Sequence, residues 1–172
     1  MNAQPQEQVI WPKDSWRLRV RFSVSSLGLC HAVQYGIFSE DPLERFPSDL
    51  RRVENVYHAN LNEVSDPEKQ RVLRKIQLAA VWNNLFRALR GDQVYLLIPG
   101  CSDIALMSNA PAGKKWLVTK QVQLNDRLLC WSVPFEAVAG EEVEISLTEG
   151  NVLDLASLDK VPGGNATRLA GQ

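Results

Sequence analysis

The stretch from residue 66 to residue 98 restricts the fold of this chain more than any other. Asp66 and Pro67 are a typical helix start, because Asp accepts hydrogen bonds from free N–H groups and Pro suits the first helical position. Gly91 is a typical helix end, and residues 94–98 are an unbroken apolar run. The pattern predicts a helix over residues 67–90, about 36 Å long, followed by a strand that is buried on both faces.

The apolar residues of this predicted helix fall on two faces rather than one. Successive residues turn by about 100°, which separates two apolar groups by roughly 150°. The first group is Val72, Leu73, Ile76, Ala79 and Ala80, and the second is Leu78, Val81, Trp82, Leu85, Phe86 and Leu89. Either the domain itself covers the second group, or a line within it packs against a second chain; that line is Leu78, Trp82, Leu85 and Leu89.

Alternation of apolar and other residues marks the strands of the chain. The first strand begins at Trp16, with apolar residues on one face and Arg17, Arg19 and Arg21 on the other. We expect it to form a hairpin with a strand over residues 29–38. Three more alternating runs follow the long helix, over residues 116–124, 129–135 and 143–147, and a two-residue turn is expected at residues 125–126.

A second, shorter helix is expected over residues 48–64, with Ser48 or Asp49 as its cap and with residues 41–42 in the preceding loop. Together these elements predict an α+β fold. It has a mostly antiparallel sheet of about six strands, with the helices 67–90 and 48–64 packed on one face. We expect a single domain over residues 1–160, with disordered ends at residues 1–12 and 161–172.

Composition and charge exclude several classes of protein. The 172 residues carry a formal net charge of −1, so no general attraction to DNA is expected. No apolar run reaches the roughly 20 residues of a membrane helix, and residues 1–5 lack the pattern of a signal peptide. The three cysteines are far apart and lie beside apolar residues, as reduced thiols do. These observations predict a cytoplasmic protein without a membrane partner.

The near-neutral total conceals two regions of opposite charge. Residues 69–90 carry six positive and no negative side chains, and residues 136–159 carry seven negative and no positive ones. Either local attraction or solvation within the fold accounts for both regions, or they steer a charged protein partner and support head-to-tail self-association. RNA binding is not favoured, since no strand carries exposed Phe or Tyr between its basic residues.

Patterns for catalysis and metal binding are weak. The only histidines are His31 and His58, and Cys30 and His31 would point to opposite faces of a strand, so no metal site is expected. The chain has no glycine-rich phosphate loop, and no cofactor is expected. The best catalytic candidate is Cys101, which follows the apolar run at 94–98 and would need His58 or His31 as its base.

Three functions stay open, and binding of another protein is favoured first. In that hypothesis the chain is not an enzyme; it forms a homodimer or binds a separate target, as inhibitor and immunity proteins do. The expected interface residues are Leu78, Trp82, Leu85, Leu89, Arg71, Arg74 and Arg87.

The other two hypotheses involve a ligand or a reaction. One is a small-molecule pocket between the sheet and the long helix, lined by Trp131, Tyr95 and Phe135 together with Trp82. The last is an enzyme that uses Cys101 as its nucleophile.

Overall fold

The computed structural model describes residues 12, 14–24, 32–89, 94–97 and 104–158, and for residues 57–62, 104 and 107 it describes the backbone alone. The expected disordered ends lie outside these ranges, apart from residue 12. The described chain contains three helices, α1 (Pro42–Asn62), α2 (Pro67–Leu89) and the short α3 (Leu155–Leu158). Its ten strands are β1 (Trp16–Ser23), β2 (Val33–Phe38), β3 (Tyr95–Leu97), β4 (Ile104–Ser108), β5 (Gly113–Thr119), β6 (Val122–Leu124), β7 (Arg127–Cys130), β8 (Ser132–Ala137), β9 (Glu142–Thr148) and β10 (Leu153–Asp154).

The strands form three sheets, so the α+β class is confirmed but the single sheet of about six strands is not. A four-stranded antiparallel sheet has the order β3-β2-β5-β8. A second sheet has the order β4-β1-β9, in which β1 is antiparallel to β4 and parallel to β9. A small antiparallel sheet has the order β10-β7-β6.

The predicted hairpin between the first two strands is wrong. The face pattern of β1 is as predicted, since Leu18, Val20 and Phe22 are buried while the arginines between them reach the surface side. However, β1 pairs with β4 and β9, whereas β2 belongs to the four-stranded sheet. Alternation of apolar and polar residues predicts which face of a strand is buried, but it does not predict which strand is hydrogen-bonded beside it.

The four-stranded sheet separates two apolar cores, and β5 contributes to both. Its Leu117 belongs to the first core, whereas Trp116 and Val118 belong to the second. The first core lies against β1 and β9 and includes Trp16, Leu18, Val20, Phe22, Tyr35, Trp131, Phe135, Ile145 and Leu147. The second core lies against the helices and includes Phe38, Phe46, Leu50, Leu78, Val81, Trp82, Leu85, Phe86, Leu128 and Cys130.

Both long helices begin at the same pair of residue types. In α2 the Asp66 carboxylate accepts a hydrogen bond from the N–H of Glu68 at 2.9 Å, and Pro67 is the first helical residue. In α1 the Asp41 carboxylate accepts one from the N–H of Leu43 at 2.9 Å. The predicted α2 is confirmed over its described length, whereas α1 begins at Pro42 rather than at residue 48 and has Pro47 inside it.

The apolar run at residues 94–98 does not form a strand buried on both faces. Its described part, β3, is at the edge of the four-stranded sheet, and the Leu96 side chain is 54% exposed. The hairpin turn between β6 and β7 is as predicted, with Asn125 at a φ of 52°.

We call the four-stranded sheet β3-β2-β5-β8 the central sheet. Hydrogen bonds at Thr119 connect this sheet to Trp82 of α2 and to Trp131 of the first core. The indole N–H of Trp82 donates to the Thr119 carbonyl oxygen at 3.0 Å. The backbone N–H of Trp131 donates to Thr119 Oγ1 at 2.9 Å, and the N–H of Thr119 donates to the Trp131 carbonyl at 2.9 Å. Because Trp82 belongs to the second core and Trp131 to the first, one residue holds the two cores together.

Replacing Trp82 by Phe tests this connection. The change keeps an aromatic ring in the second core, removes the donor to the Thr119 carbonyl and leaves a small void. We expect the free energy of unfolding in urea to fall by about 2–4 kcal/mol. The matched control is Val56→Ala, because Val56 is 72% exposed on α1 and should change stability by less than about 0.5 kcal/mol. Equal unfolding curves for the Trp82→Phe variant and the native chain would contradict the assignment.

Candidate functional site

The predicted catalytic pair falls largely outside the described residues. Cys101 and His31 lie outside them, and for His58 the backbone alone is described, within α1. Catalysis by Cys101 therefore stays a prediction. Within the described part of the chain, no three His, Cys, Asp or Glu side chains are grouped so that they could hold a metal ion.

Cys130 is a buried structural thiol. Burial raises its pKa well above the ordinary value, and the negative charge of Asp154 adds to the effect. A thiol is nucleophilic as the thiolate, which this environment disfavours. Cys130 therefore contributes to the packing of the second core, beside the helices.

The residues predicted to line a ligand pocket do not share one site. Trp131 and Phe135 are buried in the first core, and Tyr95 packs at its margin. Trp82 lies in the second core, on the opposite side of the central sheet. The proposed pocket between the sheet and the long helix is therefore not formed by these residues. Their spacing predicted burial correctly, but it could not show which face of the sheet each side chain occupies.

Aromatic neighbours fill the space around these side chains. Trp131 meets the ring of Phe22 edge-on at a centroid distance of 5.3 Å, and Phe135 lies 5.7 Å from the ring of Trp16. Tyr95 lies 5.1 Å from Tyr35, and burial with that neighbour raises the pKa of Tyr35 to about 12. Both the packing and the neutral phenol are features of an apolar interior.

The residues predicted to contact a second chain are covered by their own domain. Leu78, Trp82 and Leu85 are each at most 1% exposed, and Leu89 packs partly buried against the second core. Burial of the first three removes them from any docking surface in this fold. The alternative reading of the same pattern, in which the domain covers this line itself, describes the structure.

The opposite side of α2 is apolar and exposed. Val72 is 47% exposed and Ile76 58% exposed, and Ala80 continues the line one turn later. By the helical repeat these residues point roughly 170° away from the centre of the buried face. We call Val72, Ile76 and Ala80, with the exposed Lys69 and Arg87 at the two ends of their line, the outer face of α2.

The sequence contained a signal for this face. Val72, Ile76 and Ala80 belong to the first of the two apolar groups on the helix, but the expected interface was the second group. Two apolar faces on one helix indicate that something besides a single core borders it. Which face the domain covers depends on the sheet that packs against it, and that contact joins distant parts of the chain.

Ion pairs join the early turns of α2 to the neighbouring elements, on the side of the helix that faces the fold. Arg71 contacts Glu68 at 2.7 Å and Asp126 at 3.0 Å, and Lys75 contacts the same Asp126 at 3.0 Å. Arg74 contacts Glu54 of α1. The turn between β6 and β7 is therefore attached to α2 by charge, and the pKa of Asp126 is lowered by the hydrogen bonds from Lys75 and Arg71.

The negatively charged residues 136–159, called the acidic region here, form ion pairs with arginines that lie outside α2. Glu142 contacts Arg17 at 3.1 Å and Arg19 at 2.7 Å across the parallel pair of β1 and β9, and the next pair along the strands is Arg21 with Glu144 at 3.0 Å. Further along, Asp154 contacts Arg127 at 3.0 Å. Each of the two charged regions therefore meets local partners within the fold. The same contacts place glutamates beside the arginines of β1, where a nucleic-acid phosphate would otherwise bind.

Comparisons of the chain with protein-family models, with curated proteins and with solved structures gave no match. None of the helices in the described ranges combines the length and the apolar character needed to cross a membrane. The candidate site is accordingly defined by the residues of this chain alone, and the outer face of α2 is its strongest feature.

The attachment of Asp126 to α2 gives a measurable pKa. In Lys75→Ala we expect the Asp126 pKa, followed by NMR titration of its carboxyl group, to rise toward the ordinary value, because the first donor is lost. Since the folded pKa is depressed, this contact stabilises the fold above the unfolded pKa and is lost as the pH falls through the folded one. Lys69→Ala is the control and should leave the titration unchanged. An Asp126 pKa in the native chain at the value of a free aspartate would contradict the contact.

Proposed function

We propose that this protein is a non-catalytic, cytosolic protein that acts by binding another protein through the outer face of α2. The observation that carries the proposal is the exposure of two β-branched aliphatic side chains, Val72 and Ile76, one turn apart on the side of the helix that faces away from the core. Single exposed apolar residues are ordinary on protein surfaces, whereas a continuous apolar line between charged residues is typical of a contact surface.

The geometry of the line suits another helix. Side chains four residues apart form a ridge along a helix surface, and such ridges pack into the grooves of a second helix. Ala80 is small and lets a partner backbone approach closely, while Val72 and Ile76 supply the apolar contact. A helix laid against an apolar strip of this kind is a recurring mode of protein recognition.

Val56 is a separate exposed aliphatic residue on α1. The Glu54–Arg74 contact places this part of α1 beside the early turns of α2, and Val56 follows two residues after Glu54. Its side chain is 72% exposed. Because residues two apart on a helix differ by about 200°, Val56 points away from the side of α1 that meets Arg74, and the proposed contact is confined to the outer face of α2.

The proposal is tested by comparing the proteins that native and altered chains retain. The full native chain and the variants Ile76→Glu and Val138→Glu are purified and immobilised separately. The proteins that each one retains from source lysate are quantified by mass spectrometry. Val138 is 39% exposed after β8, so its substitution is a matched control with the same change in charge. We expect a partner that native and Val138→Glu retain and Ile76→Glu loses.

Binding to the purified partner completes the test. A carboxylate placed at the centre of an apolar contact is expected to weaken the dissociation constant by about tenfold or more. Unfolding curves for the three chains show whether the fold is retained. Identical retention and equal dissociation constants for all three chains would contradict the assignment of this face, and retention of no protein by the native chain would contradict the proposed function.

A further inference from the structure

We infer that the partner presents an acidic amphipathic helix to the outer face of α2. This inference rests on the proposed function and deepens it by specifying the chemistry of the partner. It follows from three properties of the surface: the sign of the charges in line with the apolar residues, the length of the apolar line, and the ion pairs that engage part of the acidic region within the fold.

The charges around the outer face are positive. Residues 69–89 contain no Asp or Glu, and the one acidic residue of α2 is Glu68 in its first turn. Lys69 and Arg87 stand in line with the apolar residues and about 27 Å apart along the helix axis. Arg71 and Lys75 lie roughly 140° and 100° around the helix from this line, where they contact Asp126, and the Arg71 side chain is 48% exposed.

The surrounding carboxylates do not balance these cations. Among the described residues, the carboxylates in contact with the cations of α2 are Glu68, Asp126 and Glu54. Arg71, Arg74 and Lys75 contact these acids, and the cations in line with the apolar residues are Lys69 and Arg87. A complementary surface carries apolar residues flanked by negative ones, and such charges guide encounter as well as orientation.

The length of the apolar line matches a short helix. Val72, Ile76 and Ala80 span about 12 Å, which is a little more than two helical turns. A partner helix needs apolar residues spaced by three and four over that length, with acidic residues beyond both ends of that segment to meet Lys69 and Arg87.

A second copy of this chain is a poor occupant of the same face. When two α2 helices lie against each other, Lys69 and Arg87 of one copy meet the corresponding cations of the other in both the parallel and the antiparallel arrangement. Part of the acidic region is already engaged within the fold, since Glu142, Glu144 and Asp154 contact arginines of their own chain. The charge pattern therefore favours a different protein over self-association.

A lipid surface is also a weaker fit than a protein. Helices that lie on membranes commonly insert aromatic residues and leucines, and their affinity increases with the apolar area that they bury. The outer face offers Val, Ile and Ala and no aromatic residue. This small aliphatic line suits the packing of one helix better than insertion into a bilayer.

The test is selection from a displayed library of random peptides of about 16 residues, long enough for four helical turns. Selection is run in parallel on the full native chain, on the Val72→Glu/Ile76→Glu double variant and on Val138→Glu, with unfolding curves to verify folding of each. We expect peptides that bind the native chain and Val138→Glu but not the double variant. They should be acidic and should carry apolar residues spaced by three and four. Lys69→Ala/Arg87→Ala should weaken their binding by about tenfold, and added salt should weaken it too.

The outcomes separate this inference from the proposed function. Face-dependent peptides that are neutral, basic or without helical spacing would overturn the inference and leave the proposed function standing. Absence of any face-dependent peptide would overturn both. If the native chain sediments as a dimer and the double variant does not, the occupant of the outer face is a second copy of the chain. If the native chain floats with phosphatidylglycerol vesicles and the double variant does not, the occupant is a membrane. Either result would overturn the inference.

Discussion

The arrangement of the two cores depends on the contacts that meet at Thr119, the last residue of β5. Its carbonyl oxygen accepts a hydrogen bond from the indole N–H of Trp82 on α2. Its hydroxyl oxygen accepts one from the backbone N–H of Trp131, and its own N–H donates one to the Trp131 carbonyl oxygen. Thr119 is fully buried, so each of these groups would lose its hydrogen bond without gaining water if the contact were broken. The central sheet is thus joined to the helices on one side and to the aromatic first core on the other.

This arrangement determines which side of α2 remains open. The sheet and α1 cover Leu78, Trp82 and Leu85, and the side that is left carries Val72 and Ile76. The apolar character of that side serves neither core, because it faces away from both. Local carboxylates meet Arg71, Arg74 and Lys75, and the exposed cations Lys69 and Arg87 stand at the two ends of the open side. The proposed contact with an acidic helix follows from this combination.

Much of the fold was predictable from local pattern, because the relevant forces act between near neighbours. The Asp66–Pro67 start of α2, the burial of alternate residues in β1 and the turn at Asn125 all follow from the preferences of single residues. The start of α1 carries the same Asp–Pro pair at residues 41–42. It was missed because this pair was assigned to the loop before residue 48, whereas the helix of the structure begins there and continues through Pro47, its sixth residue.

Properties that depend on distant contacts were not predictable in the same way. The pairing of β1 with β4 and β9 joins opposite parts of the chain, and alternation cannot specify it. For the same reason the separation of Trp131 from Trp82 by the central sheet, and the choice of the covered face of α2, required the structure. The two apolar groups on α2 were visible in the sequence, and of the two readings of the second group, coverage by its own domain is the one that the structure shows.

Hydroxyl-radical footprinting of the native chain, read residue by residue and normalised to intrinsic reactivity, tests most directly whether α2 has one covered and one open apolar face. Ile76 on the open side and Leu78 and Leu85 on the covered side are aliphatic residues of the same helix, so each serves as a reference for the others. The account predicts that Ile76 is labelled several-fold faster than Leu78 and Leu85. Equal labelling of the three residues, or faster labelling of Leu78 and Leu85, would contradict it.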